Sequence, residues 1–75
     1  MKQFTVLVAM LDFSFKVPGT KGRAVNVLEG DRFVVTSPKH SNITHVLIAR
    51  EKRATLNTGY NFSLATLKDL FAEVE

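Results

Sequence analysis

A chain of 75 residues with a formal net charge of +3 and no cysteine allows one small domain and excludes several classes of protein. A domain of this length buries only roughly 60% of the surface that its unfolded chain exposes, so its core has to be thin. The lack of cysteine rules out disulfides, thiolate metal sites and thiol catalysis, and it favours the reducing cytoplasm. We therefore expect a single cytoplasmic domain over residues 1–75.

The charge is distributed unevenly along the chain. Residues 1–60 carry nine Lys or Arg against four Asp or Glu, whereas residues 61–75 carry one against three. A basic body of this kind suits nucleic acid or another anionic partner, and it is equally explained as a solvated surface that keeps the protein in solution.

Short apolar runs in the first part of the chain predict β-strands. Residues 4–11 are rich in β-branched residues and too few to span a bilayer, which needs roughly 20 apolar residues. They predict a first strand buried on both faces and no membrane partner. Residues 13–17 alternate apolar and polar side chains, which predicts a second strand with Phe13, Phe15 and Val17 on one face.

Residues 25–36 hold the strongest strand pattern of the chain. Apolar residues alternate on both sides of Gly30, which can enter positive φ without a steric clash, so the pattern predicts two half-buried strands paired across a tight turn. Phe33 is expected inside. Leu28 and Val34 are out of phase with the core residues and are expected to be exposed.

The last third of the chain changes from a period of two to a helical period. Residues 43–50 predict a strand, residues 51–53 a charged turn and residues 54–57 a short strand. Ser63 is a typical N-cap, and the apolar residues after it recur at helical spacing, which predicts about ten residues of helix from Leu64. The apolar stripe of this helix is expected to pack on the strands.

The order of these pieces resembles a Src-homology-3-type barrel. A long hairpin precedes the central turn, which runs from Val27 through Gly30 to Val35, and two more strands end at Tyr60 before a helical turn and a terminal strand over residues 72–75. The resemblance implies a mainly β fold, a small Src-homology-3-like barrel of about five strands with a short C-terminal helix. A fold of this kind does not by itself define a function.

The lack of tryptophan and a second resemblance both bear on which partner this protein binds. Members of that family that bind proline-rich peptides commonly carry a tryptophan after the central hairpin, and this chain has none, so proline-rich recognition is not expected. Small chains of this kind also resemble the uncharacterised early-region proteins of bacteriophages. That resemblance implies an accessory protein that acts on a host component.

Residues able to catalyse a reaction are scarce. His40 falls in a loop beside Lys39, and His45 falls in a predicted strand, where a packed or surface role is more common than catalysis. With no cysteine, no His-x-x-x-His and no carboxylate cluster, the sequence predicts no metal site and no cofactor. We therefore expect a non-enzymatic protein.

Two binding functions remain. A protein-interaction module would dock through a strand edge or an apolar end of the barrel, with Leu28 and Val34 available, and self-association through the same surface is a variant. The alternative is a nucleic-acid-binding barrel in which three loops offer cations to phosphates and an aromatic residue stacks a base. Its candidate residues are Lys16, Lys21, Arg23, Lys39, Arg50, Lys52, Arg53 and Tyr60.

Overall fold

The computed structural model describes residues 3–17, 22–37, 44–55 and 58–74. Within them the chain forms seven strands, a 3-10 turn and an α-helix. In chain order these are β1 Val6–Ala9, β2 Phe13–Lys16, β3 Ala24–Val27, β4 Arg32–Val35, β5 His45–Arg50, the 3-10 turn Glu51–Arg53, β6 Tyr60–Ser63, α1 Leu64–Leu70 and β7 Phe71–Val74.

Five of the strands form one antiparallel sheet in the order β6-β5-β4-β1-β7, and β2 and β3 form a separate hairpin. Val6 of β1 pairs with Val34 of β4 on one side and with Val74 of β7 on the other. The ladder continues to β5, where Val34 pairs with Ala49, and then to β6. Because β6 and β7 are edge strands, the larger sheet does not close on itself within the described part of the chain.

The core lies between one face of the larger sheet, the β2–β3 hairpin and α1. Phe33 and Ile48 are fully buried on this inner face, and Leu67 is the buried residue of α1. Aromatic rings join the layers edge to face, as where the Phe15 and Phe62 centroids lie 4.8 Å apart. Burying one large apolar side chain contributes about 1.5–3 kcal/mol, so a few rings supply much of the stabilisation.

The predicted N-cap of the helix is confirmed. Ser63 Oγ accepts a hydrogen bond from the Thr66 N–H at 3.2 Å. The helix has seven residues rather than about ten, because Phe71 is already extended and pairs with Ala9 as the first residue of β7. No helix among the described residues is long and apolar enough to cross a membrane.

The prediction that residues 25–36 form a paired hairpin is wrong. Both segments are strands, but β3 pairs with β2, whereas β4 pairs with β1 and β5. Since both edges of β4 are occupied, β3 cannot add to it. The turn is fixed to β1 instead: the Ala9 N–H donates to the Asp31 carbonyl, and the Gly30 N–H donates to the Ala9 carbonyl, each at 2.9 Å. The segment is a corner between two sheets.

The mainly β class with a short C-terminal helix is confirmed, with seven strands rather than about five. The terminal strand is confirmed as β7. The predicted strand over 54–57 is wrong for Ala54 and Thr55, which lie in no strand, and residues 56–57 fall outside the described residues. The likeness to a Src-homology-3-type barrel stays a prediction.

Candidate functional site

The face of the larger sheet that points away from the core is aliphatic across four strands. Paired residues lie on the same face, so the register places Val74, Val6, Val34 and Ala49 in one row. Val34 and Ala49 are buried, yet neither belongs to the core cluster on the opposite face. We call this surface the outer aliphatic face, and it consists of Val6, Val8, Val34, Leu47, Ala49, Ala72 and Val74.

The expectation that Val34 is exposed is wrong, since only 8% of the residue is accessible. It is out of phase with the core residues, as predicted, but Val6 and Ala49 flank it on the neighbouring strands. Val74, on an edge strand, has one flanking neighbour and is 39% exposed. Val34 therefore lies at the centre of the outer aliphatic face. Because it is itself buried, the more exposed residues around it would make most of the contact with a partner.

Leu28 is exposed, as predicted, with 60% of the residue accessible. It lies at the corner between the sheets, where the Asp12 carboxylate accepts a 2.7 Å hydrogen bond from the Glu29 N–H and ties the corner to the segment after β1. Met10 and Leu11 in that segment are also exposed. This end of the molecule carries three exposed apolar side chains beside two acidic residues.

A groove of about 780 Å³ opens where β5 passes into the 3-10 turn. A smaller groove of about 300 Å³ adjoins it between the end of β2 and β6. Val17, Gly59 and Tyr60 line both grooves, so the two are continuous. We call them together the basic trough.

Ion pairs neutralise part of the charge in the basic trough. Arg50 Nη1 lies 3.0 Å from Asp31 Oδ2, and Arg32 Nε lies 3.1 Å from Glu51 Oε2. These arginines engage both of the acidic residues that line the larger groove. Two more cations on the same wall have no carboxylate partner among the described residues, and these are Lys52 and Arg53. The trough therefore presents net positive charge.

Arg50 has a structural role in addition to its charge. Its Nη2 donates to the Asn26 carbonyl at 2.7 Å, and its guanidinium carbon lies 5.1 Å from the centroid of the Phe33 ring. Together with the Asp31 ion pair, these contacts join β5 to β3 and to the start of β4. Arg50 is accordingly less available to a ligand than Lys52 or Arg53.

Asp31 is held in its charged form by its neighbours. The Leu28 N–H donates to Asp31 Oδ2 at 3.0 Å, and this hydrogen bond, followed by that from the Arg50 guanidinium, lowers the pKa of Asp31. A carboxyl whose pKa is lower in the folded state contributes stability that is present above its unfolded pKa of about 3.9. That contribution is lost as the pH falls through the folded value.

We expect Asp31→Asn to remove this contribution at every pH. The variant should be less stable than the wild type above about pH 4, and the two free energies of unfolding should converge as the pH falls further. Urea unfolding in steps from about pH 6 to about pH 2.5 measures this. Asp69→Asn, an exposed carboxylate with no ion pair among the described residues, is the control and should follow the wild type. Curves for Asp31→Asn and the wild type that stay parallel would contradict the prediction.

The other predicted nucleic-acid-binding residues are dispersed. Lys16 is exposed and lines the smaller groove, and Tyr60 lines both grooves. Arg23 is exposed on the β2–β3 hairpin and lines neither groove. Lys21 and Lys39, and with them His40, lie outside the described residues.

Groups suited to metal chemistry do not cluster in the described residues, where no three of His, Asp or Glu lie close enough to hold a metal ion. His45 is exposed at the start of β5, and its Nδ1 lies 3.0 Å from Thr44 Oγ1. The absence of catalysis and of a cofactor stays a prediction.

Sequence reasoning missed most of the outer aliphatic face. One signal pointed to it: the first strand is apolar at successive positions and was expected to be buried on both faces. Val6 and Val8 are the residues of that strand on the outer side, and both are half-buried. The ion pairs of the trough had no such signal, because their partners are far apart in sequence.

Comparisons of this chain with protein-family models, with curated proteins and with solved structures give no match.

Proposed function

We propose that this protein is a non-enzymatic binding module that acts through contact with another protein, with the outer aliphatic face as the contact surface. The observation that supports the proposal is the row of aliphatic side chains that runs from Val74 through Val6 and Val34 to Ala49. A sheet face that meets only water normally carries polar side chains, so a second aliphatic face suits a surface that a partner covers.

The partner we propose is a protein whose own surface is apolar and uncharged where the two meet. The row from Val74 to Ala49 carries no charge. In the adjoining row of the same face Val8 pairs with Arg32, whose charge is neutralised by Glu51. Because burying an unpaired charge costs far more than burying aliphatic groups, a strongly charged partner is disfavoured here. A second copy of this chain meets the same description, so a homodimer is one form of the proposed contact.

The element order supports the Src-homology-3-like fold that we propose for this module. The β2–β3 hairpin precedes the corner, and α1 precedes a terminal strand, as in the resemblance drawn from the sequence. A cytoplasmic bacteriophage accessory protein that acts on a host component is the setting we propose. Tryptophan is absent from the chain, so the contact would not be proline-rich peptide recognition.

Photo-crosslinking tests the contact surface. We replace Val74 with p-benzoylphenylalanine and irradiate the cells that produce the protein, and we expect a discrete protein adduct from this position. The matched control carries the same group at Lys68, an exposed position of α1, and should give no adduct. Ala72→Asp places a charge at an exposed position of the face, beside Val74, and should reduce the adduct at least about tenfold. Equal adducts at both positions, or none at Val74, would overturn the proposal.

Mass spectrometry of the adduct separates the forms of the proposal. An adduct of twice the chain's mass supports a homodimer, and one with a different protein supports a heterologous partner. An adduct made with nucleic acid rather than with protein would contradict the proposed function.

A further inference from the structure

We propose that the basic trough binds a short single-stranded segment of nucleic acid. The trough adjoins the outer aliphatic face at Ala49, but the cations and the aromatic ring that carry this proposal lie outside that face, and the proposal does not rest on the proposed function. Its basis is the combination of a continuous groove, unpaired cations on its wall and an aromatic ring shared by its two parts.

The charge of the trough selects an anionic ligand. Asp31 and Glu51 are already occupied by Arg50 and Arg32, so they do not cancel the remaining cations. The side chains of Lys52 and Arg53 on the 3-10 turn make no hydrogen bond or ion pair with the described residues. Lys16 lines the smaller groove, Lys52 and Arg53 line the larger one, and Tyr60 lines both. Cations distributed along a continuous groove suit the backbone of a nucleic acid, which carries one negative charge per nucleotide.

The aromatic ring selects a single strand over a duplex. Tyr60 lies on the wall that both grooves share, and its ring meets the Phe15 ring edge to face with centroids 5.1 Å apart. This contact holds the ring in place. A base can stack on such a ring only when it has left its own stack, as bases in single strands readily do. The arrangement therefore suits a short unpaired segment of DNA or RNA.

Fluorescence anisotropy of labelled eight-nucleotide oligothymidylate and oligouridylate tests the proposal. Three cations on the phosphates predict a slope of log affinity against log salt of about −2, since each contact with a single strand contributes roughly −0.7. Lys52→Glu should lower the affinity at low salt at least about tenfold, and Lys52→Glu with Arg53→Glu should reduce the slope to about −0.7. Lys68→Glu makes the same charge change on α1, outside the trough, and should stay within about twofold of the wild type.

The role of the ring is tested separately. Tyr60→Leu should weaken binding about tenfold, whereas Tyr60→Phe, which keeps the ring, should bind within about twofold of the wild type. Unfolding midpoints of all variants establish that each is folded at the temperature of the assay.

Several results would overturn the proposal. These are no anisotropy change at low salt, an equal loss for Lys68→Glu and Lys52→Glu, or tighter binding of a duplex of the same length. Competition by polyglutamate as strong as by the oligonucleotide would assign the trough to an acidic protein segment instead. A failure here leaves the crosslinking at Val74 unaffected, so the two proposals fail independently.

Discussion

Gly59→Ala is expected to lower the free energy of unfolding by about 3 kcal/mol or more. Gly59 has φ of +140°, a region that residues with a side chain rarely adopt, and a Cβ built on it would lie 2.8 Å from the carbonyl carbon of Ile48. That neighbour belongs to β5 and cannot move without disturbing the central sheet. The preceding residue is also fixed, because the buried Thr36 hydroxyl donates to the Thr58 carbonyl. Urea unfolding followed by circular dichroism measures the loss.

Gly30→Ala is the matched control for this prediction. Gly30 also has positive φ, +93°, but a Cβ there would meet nothing within 4 Å. Its cost should be only that of the backbone conformation, about 1–2 kcal/mol. The difference between the two variants isolates the clash with β5. Equal losses for both would show that the close approach at Gly59 does not constrain the fold.

Phe33→Ala is expected to cost about 3–5 kcal/mol, enough to unfold much of the population of so small a domain. Phe33 is 0% exposed at the centre of the larger sheet. Its ring centroid lies 5.3 Å from that of Phe71, and the two rings meet edge to face. The Arg50 guanidinium covers the ring, so truncation removes packing, an aromatic pair and a cation–π contact together. Thermal and urea unfolding of the variant measure the loss.

Leu28→Ala removes a large apolar side chain from an exposed position and serves as the comparison. It should change the free energy of unfolding by no more than about 0.5 kcal/mol. Phe33→Leu, which keeps much of the volume, should fall between the two variants. A Phe33→Ala protein as stable as Leu28→Ala would show that the core does not depend on this ring.

Patterns of neighbouring residues in the sequence predicted the features that depend on those neighbours, namely the helix cap and the inward face of a strand. Ser63 was identified as a cap from its position before an apolar run, and the cap's hydrogen bond spans only three residues. The alternation around Phe33 correctly placed that residue inside. Such signals depend on neighbours in sequence, which is why the strands and the start of the helix could be predicted.

The choice of strand neighbours could not be predicted in the same way. Alternation shows which residues of a strand share a face, but it does not show which strands lie on either side. β4 lies between β1 and β5, and this position buries Val34 even though it points away from the core. A strand with one free edge would have left the same side chain accessible, as β7 leaves Val74.

The basic trough shows the same limit for charges. Counting cations by loop grouped Arg50 with Lys52 and Arg53 because they are adjacent in sequence. In the fold, Arg50 reaches back to Asp31 and Asn26, whereas the other two stay unpaired. Separating a structural cation from an available one needs the positions of the acidic groups, which the sequence alone does not provide.

The ladder between β1 and β7 has a consequence for how the chain reaches its fold. It joins Val6 to Val74, close to opposite ends of the described chain, whereas β2 and β3 are joined by a short connection. Closing a long loop costs more chain entropy than closing a short one, and such non-local pairings slow folding. We expect the β2–β3 hairpin to form early in refolding, and the Val6–Val74 ladder to form late, as the step that completes the sheet.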